Sequence, residues 1–158
     1  MNVTADQFLK IAYDWMCANV AAIEGQWPQK GGWEKWAQGE IIRAINAVDP
    51  TAMAQAEQHV YMNPAKSIDF MLNNPETSIA DVVLCELKCQ SLLNASNFVS
   101  GLREDVYYID HDMKPPFGMA SRIVLGFYFT EHFTLPSGFE FTAQTDPTNS
   151  VGMCYIKF

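Results

Sequence analysis

The chain has 158 residues, of which 49% are hydrophobic and 18% charged, and ten basic residues face eighteen acidic ones for a net charge of −8. This composition excludes intrinsic disorder, and no run of eighteen apolar residues offers a membrane span. The overall field is unfavourable to nucleic acid, so a site for it needs clustered lysines or bound metal ions. Met1–Asp6 lacks the basic-then-apolar order of a secretory signal, and the expectation is a cytoplasmic protein. Cys17, Cys85, Cys89 and Cys154 form no CxxC pair and are read as reduced, small apolar residues. The length suits one domain, 1–158.

Thr4 followed by Gln7 reads as a capping box, and Phe8, Ile11, Ala12, Trp15, Met16 and Val20 recur at helical spacing, predicting a helix to about residue 23. Gly25 closes it, 26–32 is a loop, and a second helix spans about 33–47, ended by Asp49-Pro50. Three strands follow at 57–62, 67–72 and 79–88, joined by short Asn- and Pro-containing turns that imply an antiparallel meander. Helical spacing returns from Leu92 and Leu93 to Ile109, and Pro115-Pro116 breaks it. A strong strand at 122–130 and a terminal hairpin, 139–143 with 152–158, complete an α+β chain.

The third strand ends in Glu86-Leu87-Lys88, and residues two apart on a strand share a face. An acid and a lysine at the end of an apolar strand are costly unless paired or ligating. Asp69 is likewise a lone acid amid Ile68, Phe70 and Leu72, and pairing of the two strands brings it beside Glu86. Asp81 has the opposite parity to Glu86 and should face away. On the second helix Glu40 falls within the stripe of Trp33, Trp36, Ala37, Ile41, Ala44 and Ile45, whereas Glu34 is read as a surface acid. Two carboxylates with a lysine suit metal-assisted phosphodiester hydrolysis: the oxygens hold Mg²⁺ and the lysine orients or helps deprotonate water.

Asp69 followed by Glu86-Leu87-Lys88 resembles the D…ExK signature of the PD-(D/E)XK nucleases, a restriction-endonuclease-like superfamily. Its core order of helix, three-stranded meander, helix and strand matches residues 33–130, leaving 1–25 and 139–158 outside. The resemblance implies an α/β/α-like fold and a metal-dependent phosphodiesterase, DNA being favoured over RNA. It implies Mg²⁺ or Mn²⁺ ligation by Asp69, Glu86 and Glu40, catalysis by Lys88, and an accessory place for Gln90. A homodimer suits a double-strand cutter, and the acidic balance suits a protein partner or inhibitor.

The blander readings make Glu86 and Lys88 a strand-end ion pair, Glu40 a rim residue and Asp69 a turn-adjacent acid. Asp110-His111-Asp112 reads as a solvated loop, His59 as a half-exposed strand position and His132 as a packing or loop residue. Aromatics near the Gly31-Gly32 loop offer surfaces for stacking on bases. The competing function is a non-catalytic acidic binding protein on a nuclease-like scaffold: an inhibitor, immunity protein or nucleic-acid mimic.

Overall fold

A computed structural model describes residues 2–30 and 32–158, so Gly31 of the expected loop lies outside the described residues. Thr4 caps α1 (Ala5–Ala18) by accepting from Gln7 N, and the Gln7 side chain accepts from Thr4 N in return. The single helix expected here is in fact two. Asn19, at φ −124°, separates α1 from α2 (Val20–Glu24), and its side chain donates to the Trp15 carbonyl. After the loop, α3 (Glu34–Val48) buries Ala37, Gln38, Ile41 and Ile45.

The remaining elements are β1 (Phe70–Leu72), β2 (Val83–Cys89), α4 (Phe98–His111), β3 (Ser121–Phe129), β4 (Thr142–Thr145) and β5 (Val151–Lys157). They give a mixed five-stranded sheet of order β1-β2-β3-β5-β4, in which β2 and β3 run parallel and the other pairs antiparallel. The parallel pair requires a crossover, and α4 supplies it. Along β2, Val83, Cys85, Leu87 and Cys89 face a core shared with α1 and α3, and Leu84 faces a second core shared with α4. Helices thus cover both faces of one sheet. The four cysteines are free, three of them buried.

The three-strand meander is corrected to two regular strands and a broken edge. Met53 and Glu57 hold φ of 47° and 57°, turning the chain out of the extended conformation a ladder needs. Residues 55–58 keep the isolated bridges Gln55↔Met71 and Gln58↔Ile68, while Tyr61 bridges to Met113 instead. Residues 79–81 form a 3₁₀ turn, so the third strand starts at Val83.

The helix expected from residue 92 begins only at Phe98. The Asn94 side chain binds Ser91 N and Cys89 O, turning the chain first and leaving Leu92 and Leu93 exposed. Phe139 and Phe141, expected in a strand, stack on each other at 5.0 Å, and β4 starts at Thr142.

Candidate active site

Phe70 pairs with Cys85 across β1 and β2, so the next step outward sets Asp69 opposite Glu86. The chain bends at Asp69, and its side chain takes over where the backbone ladder stops. Asp69 Oδ2 accepts from Leu87 N at 2.7 Å, capping a donor that β1 leaves unpaired. From α3, Gln38 Nε2 donates to the Asp69 carbonyl at 2.6 Å and lies 3.5 Å from Oδ1. The Asp69 and Glu86 carboxyl groups lie close enough to influence each other's ionisation. The buried Tyr61 hydroxyl donates to Glu86 Oε1 from the other side.

Lys88 follows Glu86 on the same face of β2, toward α4. Its Nζ lies 3.1 Å from Asp105 Oδ2, with both side chains mostly buried. Gly101, one turn before Asp105, eases this approach: a Cβ there would crowd Lys88 Cε at 3.3 Å. Glu34, in the first turn of α3, accepts from Cys89 N at 3.1 Å. The site therefore gathers residues from α3, the bend before β1, β2 and α4 around the carboxyl-terminal half of β2.

Burial is the largest influence on the acids here. It drives Glu86 up to about 9, with the neighbouring Asp69 charge adding to it and the Tyr61 hydrogen bond opposing it. Asp69 is also raised by burial, although the Leu87 N–H and the Glu86 carboxyl favour its charged form. Burial therefore favours the protonated form of Glu86 near neutral pH, beside Asp69. Burial lifts Asp105 to about 6 against the pull of Lys88, and it raises Glu34 as well. Burial alone would depress Lys88, but Asp105 and then Glu34 outweigh it and hold the ammonium charged.

Of the residues expected at the site, Asp69, Glu86 and Lys88 come together. Glu40 does not join them. Its side chain pairs with Arg43 one turn along α3, and it sits about 200° around the helix from Gln38, which does touch Asp69. The α3 acid near the group is Glu34, which the sequence reading placed on the surface. Gln90 is fully buried and its amide is committed: Nε2 donates to His132 O at 3.1 Å, and Oε1 accepts from Phe129 N at 2.9 Å. It braces the end of β3 rather than offering a free group.

Tyr61, Gln38 and Asp105 were missed altogether. Asp105 left a signal, because Gly101 interrupts a helix interior four residues earlier, where glycine costs stability unless something approaches closely. Asp110 and His111 end α4, and His111 stacks on Tyr107 at 4.7 Å. Surface clefts of about 370, 350 and 400 Å³ are lined by other residues.

A hard divalent cation commonly takes one or two carboxylates and keeps waters elsewhere, and its binding here would displace the proton favoured on Glu86. Among the described residues no group of three or more His, Cys, Asp or Glu is arranged to hold a metal. Asp69 and Glu86 offer two carboxyl groups, a donor chemistry compatible with Mg²⁺ or Mn²⁺. Among the described residues no helix is long and apolar enough to cross a membrane. No family model, curated protein or solved structure matches the chain.

Proposed function

We propose that the protein is a metal-dependent nuclease of the PD-(D/E)XK type that hydrolyses phosphodiester bonds, in DNA before RNA. The observation that carries this reading is the Asp69–Glu86 carboxyl pair at the edge of β2, with a charged Lys88 two residues further along the same strand. The order α3, bridged edge, β1, β2, α4, β3 supports it, since it follows the superfamily's core order. When bound at Asp69 and Glu86, Mg²⁺ or Mn²⁺ supplies the charge that activates water and neutralises phosphate.

The chain's own groups have defined tasks in this reading. Tyr61 and the Leu87 N–H orient the two carboxyl groups. Lys88, kept as an ammonium by Asp105 and Glu34, donates to a phosphate oxygen and stabilises charge gathering there. That role is narrower than the sequence expectation, because a lysine held charged is a poor base at neutral pH. Lys35 and Lys66 add local positive charge: Lys35 pairs with Glu57 and acts on Asp69, and Lys66 acts on Asp105. These lysines lie near the site in an otherwise acidic molecule.

The charge of −8 favours a second reading, an acidic binding protein on a nuclease-like scaffold. One experiment separates the two. Plasmid DNA and RNA are incubated with the protein in Mg²⁺, Mn²⁺ or EDTA, beside Asp69→Ala and Lys88→Ala. Metal-dependent cutting that both variants lose establishes the nuclease. An absence of cutting, with a melting temperature that Mn²⁺ leaves unchanged, removes it.

A further inference from the structure

A cleft of about 370 Å³ opens at the carboxyl end of β3, within the roughly 300–1,000 Å³ range of small-ligand sites. In sheets with parallel strands, ligands settle outside the carboxyl ends of those strands, and β2 and β3 are the parallel pair here. The cleft is lined by Trp27, His132, Glu24, Glu131, Asn149 and Ser150, among others. The exposed His132 ring lies flat on the Trp27 indole, with centroids 4.0 Å apart and planes 9° apart. Trp27 is itself wedged edge-on against Phe129 at 5.1 Å, so the stack rests on the core. Gln90, just past the end of β2, donates to the His132 carbonyl and fixes the backbone there.

We infer that this cleft seats a nucleobase of a single strand, stacked on the His132–Trp27 pair. The inference rests on the nuclease reading above and adds a subsite to it. A flat ring on a rigid scaffold is what base stacking needs, and stacking tolerates every base. Charge decides which part of the nucleotide enters. The described lining holds Glu24 and Glu131 and no lysine or arginine, so it repels phosphate and accepts N–H donors. The exocyclic amines of adenine, cytosine and guanine meet that description, whereas thymine offers only its ring N3–H, so the cleft disfavours thymine.

The test measures binding in EDTA, where cutting does not intervene. Labelled single-stranded oligo-dA, oligo-dC and oligo-dT are titrated by fluorescence anisotropy, with adenosine as competitor to separate a free nucleoside from a base held in a strand. Loss of one stack in His132→Ala weakens oligo-dA binding about tenfold. His132→Phe, which keeps a flat ring, restores it. If His132→Ala melts at room temperature, Glu131→Gln carries the test: it removes the preference for oligo-dA and oligo-dC over oligo-dT. Equal binding by wild type, His132→Ala and Glu131→Gln overturns the cleft. If such a protein still cuts DNA with Mn²⁺ and Asp69→Ala does not, the nuclease reading stands and the subsite alone is lost. If nothing binds and nothing is cut, both fall together.

Discussion

Lys88 and Asp105 meet at 3.1 Å between β2 and α4, in space that Gly101 leaves empty. Asp105→Asn removes the charge that most favours the ammonium and leaves Lys88 mostly buried beside a neutral amide. The expected cost is about 1–3 kcal/mol of stability in denaturant unfolding. Removing Asp105 also lowers the Lys88 pKa, so the alkaline limb of the pH–rate profile moves to lower pH. An unmoved alkaline limb would show that Lys88 takes no part in the rate.

Glu86 gives stability a pH dependence whose sign is fixed. Its folded pKa of about 9 lies above the ordinary 4.5, so the contribution of its proton is complete below the ordinary value and is lost as pH rises through the folded one. Without divalent cations the melting temperature therefore falls from mildly acidic to alkaline pH, and Glu86→Gln flattens that fall. Mn²⁺ added at pH 8 stabilises the wild type and leaves Glu86→Gln unchanged. A Glu86→Gln profile as steep as the wild type's would place the titrating group elsewhere.

Glu34 and Glu40, six residues apart on α3, separate by function. Glu34→Gln keeps an acceptor for Cys89 N and removes a charge acting on Lys88, and it lowers turnover about tenfold, on the order of 1.4 kcal/mol in the barrier. Glu40→Gln, losing an ion pair with Arg43 at the helix surface, leaves turnover within about twofold and costs less than ~1 kcal/mol in stability. The reverse ranking in steady-state kinetics would restore Glu40 to the site.

Gly152 lies opposite Tyr128 across β3 and β5, and a Cβ there would meet the tyrosine ring at 2.1 to 2.4 Å. Gly152→Ala forces the ring off its place over the strand, at about 3 kcal/mol or more. Adding Tyr128→Ala to Gly152→Ala costs less than the two single changes sum to, because the clash no longer exists. Strict additivity by chemical denaturation would rule out the ring as the obstacle.

Local rules carried the reading of the sequence where they were strong. The Thr4–Gln7 cap, the apolar run of β3 and the shared parity of Glu86 and Lys88 each depend on a few neighbouring residues. Distant partners decide the rest. No periodicity reports that Glu57 takes a left-handed backbone, and this conformation breaks the first expected strand. Leu92 and Leu93 fit the helical stripe, yet the Asn94 turn outcompetes it. Glu40 shares the face of Trp36, but Trp36 packs on Trp15 of α1, and Glu40 turns to Arg43. A hydrophobic stripe shows which side of a helix is covered, but not which of two neighbours covers it.

The insertion of β5 between β3 and β4 has a consequence for how the chain is made. When β3 has left the ribosome it can pair with β2 through α4, but its other edge stays bare until residues 151–157 arrive. That edge belongs to an apolar strand, Ile123 to Phe129, buried in the finished protein. A nascent chain stalled before Val151 therefore exposes a sticky template for other chains. Truncation at that point should send the product into inclusion bodies, even though the whole Asp69–Glu86–Lys88 group has already been synthesised.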